Sequence, residues 1–309
     1  MYVQQPLPPT GPVSLPPIVS YHGALMRTDV VFKDVLSSQE VDTALEKLWK
    51  EIETRSDAVV RSDPSTWDNG WRTNGWGHDD FLWYVRGCPN VRKVWEQLHD
   101  TDDVIVSFDG ANIQKPWGLN PKWRGGAGRM HTDRRNHEGV PDGYIQGFVN
   151  LRPTSPETGG NYVVPRSHHF YHELEEWRRS LPQEERGNFY ALVAKERPEL
   201  FQEVINAHLE PGDVFLWTDM TLHQACPGKG VGPTEPELTR AAVYVCMSPK
   251  SKATPEVLEE RRKAVYHNTG NGHTAHHPMG SPGRPKVWEE PKTPYPIERL
   301  TEAQRKLVG

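Results

Sequence analysis

A histidine and an aspartate stand two residues apart in the triplet His131-Thr132-Asp133, and His223 and Arg240 complement them further along the chain. Successive side chains of a strand alternate between its faces, so His131 and Asp133 would point the same way. A second histidine, brought across a sheet from a distant strand, would complete a face of two histidines and one carboxylate. Such a face binds Fe(II) and leaves three coordination positions open. A nearby arginine could clamp the far carboxylate of an organic acid that chelates the metal.

The triplet alone is a weak signal, because the chain has 14 histidines and a second His-x-Asp, His78-Asp79-Asp80. The elements that follow each triplet decide between them. After the later triplet come a strand, a Gly-Gly turn, a Pro-Gly-Asp turn and another strand, which leads to His223. If that strand and the one that opens with Arg240 are adjacent and antiparallel, these two residues lie together at one rim. The pattern therefore favours His131, Asp133 and His223 as metal ligands.

Each of these residues also has a structural alternative. Asp133 could lie in a solvated loop, where the neighbouring arginines satisfy it. His223 could be a buried imidazole that bonds a backbone carbonyl. Arg240 could form a surface ion pair with Glu235 or Glu237.

Periodicity predicts the elements that position these residues. Apolar residues at helical spacing predict helices over 37–54, with Ser37 or Ser38 as N-cap, and over 90–98. Further helical segments are predicted at 170–206, broken at Pro182 and Pro198, and at 258–265. Short strands are predicted at 104–108, 144–151, 161–165, 214–217 and 241–246. Helices followed by short antiparallel strands predict a mainly β fold with flanking helices, a sandwich or jelly roll.

The chain is expected to form one domain. We predict an extended, proline-rich segment at 1–20, a single domain over 21–309 with its β core at about 104–250, and a C-terminal extension over 251–309. The histidines of that extension are expected to be solvated. The tryptophan-rich stretch 67–84 is a candidate lid over a substrate, and a packing loop is the alternative.

Composition limits the functional classes. The formal charge of −5, from 41 acidic and 36 basic residues, does not suggest a nucleic-acid surface. The sequence shows neither an apolar run long enough for a membrane span nor a secretory signal, and its three cysteines do not form a disulfide or zinc pattern. A cytoplasmic protein is therefore expected. Hydrolase, kinase-like and zincin motifs are also lacking, which leaves the metal face as the main chemical signal.

The order of motifs in this chain resembles the phytanoyl-CoA dioxygenase-like family. The resemblance rests on His131-x-Asp133, the turns described above, His223 and Arg240, and it extends over roughly residues 78–280. The further matching motifs are Gly159-Gly160, Val164-Pro165-x-Ser167-His168 and Pro211-Gly212-Asp213. Two features depart from the family pattern: Val-Pro-Arg-Ser replaces the commoner Pro-Gly-Ser, and the loop between His223 and Arg240 is longer than usual.

The resemblance implies a double-stranded β-helix (cupin-like jelly roll) core and an enzyme that uses Fe(II), 2-oxoglutarate and O2. It assigns His131, Asp133 and His223 as iron ligands and Arg240 as the anchor of 2-oxoglutarate. Phe148 falls where the family often has an aromatic residue beside the cosubstrate. The substrate would be a small molecule, hydroxylated with release of succinate and CO2, although desaturation and ring closure use the same centre.

Three points remain open from the sequence alone. Strand alternation places Gln146 and Asn150 on the same face as Phe148, so one of the two could point into the pocket. Several arginines near the triplet could receive an acidic substrate, or form a solvated rim: Arg124, Arg129, Arg134, Arg135 and Arg166. Two other functions also fit the pattern: a cupin-like metal enzyme that does not use 2-oxoglutarate, and a noncatalytic binding protein of the same fold.

Overall fold

The structure is a computed structural model. It describes residues 3–5, 30–56, 58–68, 77–134, 143–202, 204–270, 272–277 and 294–309. The predicted N-terminal segment 1–20 lies outside these residues, except for positions 3–5.

Two facing sheets form the centre of the molecule. The larger sheet has six strands in the order β1-β2-β8-β5-β10-β4, and the smaller sheet has three, in the order β7-β6-β9. A third pair, β11 with β3, extends the fold at one side. All pairs are antiparallel except β1 with β2. The strands are β1 Val3–Gln5, β2 Val30–Phe32, β3 Val104–Val106, β4 Ala111–Gln114, β5 Ile145–Asn150, β6 Gly159–Val163, β7 Ile205–Asn206, β8 Val214–Thr218, β9 His223–Pro227, β10 Arg240–Tyr244 and β11 Met247–Pro249.

Seven α-helices surround the sheets in the described part of the chain. They are α1 Ser38–Arg55, α2 Asp80–Gly87, α3 Pro89–His99, α4 Tyr171–Ser180, α5 Phe189–Glu196, α6 Pro255–Tyr266 and α7 Glu302–Val308. Helix α1 is an example of a helix whose start is set by residues close to it in the sequence. Ser37 accepts a hydrogen bond from the Glu40 backbone, and the Glu40 side chain bonds back to the Ser37 backbone, which is a capping box. The predicted helix and its N-cap Ser37 are therefore confirmed.

The larger sheet has two faces with different partners. On one face, Val149, Leu216 and Val243 join the main core, which includes the buried stripe of α1 and the residues of α2 and α3. On the other face, Phe148 and Trp217 pack in the space between the two sheets. This alternation follows from the period of two along each strand. The jelly-roll core with flanking helices is the fold that the sequence predicts.

The predicted elements match the observed ones within a few residues. The helix predicted over 170–206 is divided into α4 and α5, with Pro182 and Pro198 outside both. The helix predicted over 258–265 is α6, which begins earlier at Pro255 behind the N-cap Thr254. No helix in the described residues is long and apolar enough to cross a membrane. The division into one domain with a C-terminal extension remains a prediction.

Candidate metal centre

Two backbone contacts bring the three candidate ligands together. His131 forms an isolated antiparallel bridge with His223, the first residue of β9, through hydrogen bonds of 3.0 and 2.9 Å in the two directions. The backbone N–H of Asp133 donates to the carbonyl of Asp219, just after β8, at 2.9 Å. The end of one strand and the start of the next therefore fix the position of the triplet on both sides.

The side chains of His131, Asp133 and His223 converge on one point. One ligand atom from each lies within 4.8 Å of the others. His223 Nε2 is 3.1 Å from Asp133 Oδ2, and His131 Nε2 is 3.6 Å from Asp133 Oδ1. A metal about 2.1 Å from each ligand, with the ligands at right angles, would place adjacent ligand atoms about 3 Å apart. The observed spacing therefore fits a metal ion bound by two imidazoles and a carboxylate.

The other nitrogen of each histidine supports the same assignment. His131 Nδ1 lies 2.6 Å from the carbonyl oxygen of Arg129, and His223 Nδ1 lies 2.9 Å from that of Thr221. A carbonyl oxygen only accepts, so Nδ1 carries the proton in both rings. Each Nε2 then presents a lone pair toward Asp133, which is the tautomer a metal requires.

The ionisation of the triad also suits a cation. Burial by itself raises the pKa of Asp133, but the imidazoles of His223, His273 and His131 lie close to its carboxylate and outweigh burial, so the carboxyl pKa lies well below its usual value. Burial and the neighbouring His223 lower the pKa of His131. Both side chains are therefore in the metal-binding state at neutral pH. The side chain of His131 is 41% exposed and that of His223 is 7% exposed, so the centre opens on the His131 side.

Asp133 is held by hydrogen bonds from Gln146, which lies in β5, and from Tyr144, which immediately precedes β5. Gln146 Nε2 donates to Asp133 Oδ2 at 2.9 Å, and the Tyr144 hydroxyl donates to the Asp133 carbonyl at 3.2 Å. Asn150 has a different role, because its amide donates to three backbone carbonyls, those of Arg152, Leu209 and Glu210. Of the two candidates on this face, Gln146 reaches the centre and Asn150 stabilises a turn.

Arg240 lies buried between the two sheets, and two of its side-chain nitrogens have no polar partner. The residue is 2% exposed, and neither Nε nor Nη1 has a hydrogen-bond partner. Its guanidinium lies over the Phe148 ring, 5.6 Å from the centroid. Burial lowers its pKa, and no carboxylate contributes to that shift. An unpaired buried cation is costly, so the arrangement calls for an anionic ligand.

Aromatic rings connect Arg240 to the metal centre. The ring centroids of Phe148 and Trp217 are 5.8 Å apart, and those of Trp217 and His223 are 5.2 Å apart. All of these side chains project into the space between the two sheets. The candidate metal ligands and Arg240 therefore lie in the same space between the two sheets, connected by the rings of Phe148 and Trp217.

The structure corrects two expectations about Arg240. Strands β8 and β10 are not adjacent, because β5 lies between them, so Arg240 does not meet His223 at a rim. The antiparallel register instead places Ala242 opposite Asn150, and the arginine side chain reaches back over Phe148. The surface ion pair is also excluded: Arg240 is buried, and Glu237 pairs with Arg61.

The rival triplet is structural. His78 is buried and its Nε2 lies 2.9 Å from the carbonyl oxygen of Thr269, while Asp79 pairs with Arg55. The stretch 67–84, proposed as a lid, is described only at its two ends. There Trp67 is fully buried and stacks near Trp123, as a packing role requires. Residues 69–76 lie outside the described residues, so a lid there remains a prediction.

A large open cavity of about 1070 Å³ adjoins His131. Its charged lining consists of four arginines and one glutamate: Arg129, Arg134, Arg178, Arg186 and Glu175. Arg178 pairs with Glu175, and Arg134 lies 3.6 Å from Asp219. The remaining two arginines contact backbone carbonyls, so the cavity keeps an excess of positive charge. Arg124 does not line the cavity, and Arg135 lies outside the described residues.

Sequence reasoning missed one residue beside the centre. His273 Nε2 lies 3.9 Å from Asp133 Oδ2, and its Nδ1 forms an ion pair with Asp109. Asp109 raises the pKa of His273 well above the usual value, although burial opposes that shift. The expectation that histidines of the extension are solvated is therefore wrong for His276, which is 9% exposed, and for His273, which is half-buried and ion-paired. No sequence pattern connects His273 with Asp133, because the two residues lie 140 positions apart in the chain.

The fold and the site together define a class: a jelly-roll protein with two histidines and a carboxylate placed so that they could hold a metal ion on one face. The family model described as "Phytanoyl-CoA dioxygenase (PhyH)" matches residues 29–231, more than half of the 309 residues. The chain therefore belongs to the phytanoyl-CoA dioxygenase family, and it is an oxygenase-type enzyme. The match includes all three candidate ligands but ends before Arg240, whose assignment thus depends on the structure.

One curated relative and two solved structures are also similar to this chain. Ava biosynthesis cluster protein O of Aspergillus versicolor is 25% identical over 266 residues, 80% of this chain and 82% of that protein. The structure of GlcNAc Inducible Gene 2 (GIG2) of Candida albicans matches with a TM-score of 0.65 and 15% identity, over 95% of this chain and 76% of that one. A hypothetical protein of Escherichia coli matches with a TM-score of 0.59 and 13% identity, over 92% and 80% of the two chains. At these identities the two structures support the fold alone.

Proposed function

We propose that the protein is an Fe(II)- and 2-oxoglutarate-dependent dioxygenase that oxidises a small molecule at an unactivated C–H, most simply by hydroxylation. The observation that carries this proposal is the buried guanidinium of Arg240, whose Nε and Nη1 have no partner and which lies between the same two sheets as the metal triad. The triad calls for a metal ion and the guanidinium for a carboxylate. 2-Oxoglutarate has one group for each of them.

The residues of this chain would act in distinct ways. His131, Asp133 and His223 would hold Fe(II), and Gln146 would keep the Asp133 carboxylate in place through its hydrogen bond. With 2-oxoglutarate and O2, bound iron supplies the oxidising chemistry that yields succinate, CO2 and an oxidised substrate. Arg240 would bind the far carboxylate of 2-oxoglutarate, and Phe148 and Trp217 would exclude water from that end of the pocket.

Arg240 and the histidine tautomers each count against one of the two alternative functions. A cupin-like metal enzyme that does not use 2-oxoglutarate would have no need of an unpaired cation in the barrel, where it lowers stability. A noncatalytic binding protein would have no need of both histidine tautomers being set for a metal. Each alternative leaves one of these features without a cause.

We propose further that the substrate is acidic. The cavity beside His131 has four arginines and one glutamate in its lining, which favours a carboxylate or phosphate group. A small-molecule substrate also agrees with the relative in Aspergillus versicolor, which is named as a biosynthesis cluster protein. A cytoplasmic location and the absence of nucleic-acid and membrane partners remain predictions from composition.

The proposal is tested by anaerobic reconstitution with Fe(II) and 2-oxoglutarate. Chelation should produce a weak visible charge-transfer band that is absent with either component alone. Asp133→Ala should abolish the band by removing a ligand, and Arg240→Met should shift the titration to higher 2-oxoglutarate concentration. A folded wild-type protein that binds Fe(II) but gives no band at saturating 2-oxoglutarate would contradict the cosubstrate assignment.

A further inference from the structure

His273 lies beside the candidate metal centre, with Nε2 3.9 Å from Asp133 Oδ2. It also lies beyond residue 231, where the match to the family model ends. It lies on the short segment 272–277 that follows α6. Its imidazole stands between two carboxylates, with Nδ1 on Asp109 and Nε2 facing Asp133. Its ring also packs against Tyr244, with centroids 5.8 Å apart.

The segment is fixed to the core through the three residues that follow His273. Buried Arg261 donates to the carbonyl of Ala275 at 2.8 Å, and His276 Nδ1 lies 2.9 Å from Ser248 Oγ. Thr274 is hydrogen-bonded to Tyr144, the residue that also holds the Asp133 backbone. These contacts give His273 a defined position rather than the freedom of an exposed tail.

We propose that His273 is a positioning residue of the metal centre, held by Asp109 so that its Nε2 fixes the orientation of the Asp133 carboxylate. Oδ2 of Asp133 faces both Gln146 and His273, while Oδ1 faces His131. At 3.9 Å, Nε2 and Oδ2 do not form a direct hydrogen bond, so the effect acts through one water molecule that accepts from Nε2–H and donates to Oδ2. Partners behind a metal ligand typically contribute about 10- to 100-fold to metal affinity.

The test uses Co(II) as the probe, so that it needs neither substrate nor turnover. His273→Ala should weaken Co(II) binding about tenfold or more, whereas His273→Gln, which keeps an N–H donor, should recover most of that loss. Asp109→Asn keeps an acceptor for the Gly110 N–H but cannot accept from His273 Nδ1. It should therefore weaken binding as His273→Ala does, and the double variant should be no worse than either single one.

His276→Asn is the matched control, because it removes another imidazole from the same segment and keeps a hydrogen-bonding group toward Ser248. It should bind Co(II) like the wild type. Equal affinities of wild type and His273→Ala, or an equal loss in His276→Asn, would overturn the inference. The inference rests on the proposed metal site, and the two fail differently: if the wild type itself binds no Co(II), the proposed function fails as well.

Discussion

Replacing Arg240 by methionine should separate ligand binding from stability. Arg240 is buried with Nε and Nη1 unpaired, so its charge is desolvated without compensation in the ligand-free protein. Methionine keeps most of the length and removes that charge. Replacement of a buried ion pair by apolar residues of similar volume is often neutral or stabilising by about 1–4 kcal/mol, and a buried arginine with no carboxylate partner should follow the same trend. We therefore expect the free energy of unfolding of Arg240→Met, without ligands, to equal or exceed that of the wild type.

The same change should weaken 2-oxoglutarate binding strongly. Loss of one partner from a buried charge pair costs about 2–5 kcal/mol, and each 1.4 kcal/mol is tenfold in the dissociation constant, so Kd should rise about 30-fold or more. The affinity is read from an anaerobic titration of the Fe(II)-loaded protein with 2-oxoglutarate. Stability is read from urea unfolding of the metal-free protein.

Arg261→Met is the matched control, because Arg261 is also buried but each of its three side-chain nitrogens donates a hydrogen bond. Its guanidinium donates to the carbonyls of Val106, Ala275, Leu307 and Val308. At about 1 kcal/mol for each abandoned carbonyl, its loss should destabilise the protein by about 4 kcal/mol. If Arg240→Met were destabilised to the same extent, or if its 2-oxoglutarate affinity were unchanged, the assignment of Arg240 as an unpaired anchor would be refuted.

Three further predictions follow from the site and its surroundings. Gln146→Leu should lower Co(II) affinity about tenfold in a direct titration, because Asp133 loses its amide donor; an unchanged affinity would count against that role. Burial raises the pKa of Asp219 to about 6, against the pull of Arg134. A carboxyl group whose pKa is higher in the folded than in the unfolded protein binds more protons in the folded state. The free energy of unfolding should therefore fall as pH rises from about 4 to about 6, by at most about 3 kcal/mol. Urea unfolding of the wild type should show this decline, and Asp219→Asn should flatten it; parallel pH profiles would exclude it. Asn150→Ala should cost about 2 kcal/mol in unfolding free energy, because buried carbonyls lose their donor, and should leave Co(II) affinity unchanged, which a titration can check.

Local patterns in the sequence predicted much of the fold. The stripe from Val41 to Ile52 and the cap at Ser37 define α1 without any distant contact. The strands β5 and β8 likewise follow from short β-type runs between turns. Strand order is different, because pairing is set by contacts far apart in sequence. The β10 strand pairs with β5 and β4, and no local signal excluded β8 as its neighbour.

The candidate site divides in the same way. His131, Asp133 and His223 could be selected because the order of strands and turns around them is regular, and the structure brings them within ligand distance of one another. The burial of Arg240 over Phe148 depends on where β10 joins the sheet, so the sequence suggested the residue but misjudged its surroundings. The Asp109–His273 pair could not be predicted, because a loop segment after α6 makes that contact.

The central claim is that this pocket couples a metal held by His131, Asp133 and His223 to 2-oxoglutarate held by Arg240. The most direct measurement is the O2-dependent formation of succinate from 2-oxoglutarate by the Fe(II)-loaded protein. The wild type should form succinate with O2 and not without it, Asp133→Ala should form none, and Arg240→Met should need a much higher 2-oxoglutarate concentration. Equal succinate formation in the wild type and in both variants would contradict the central claim. So would a wild type that binds iron and 2-oxoglutarate but forms no succinate with any of a broad panel of acidic small molecules.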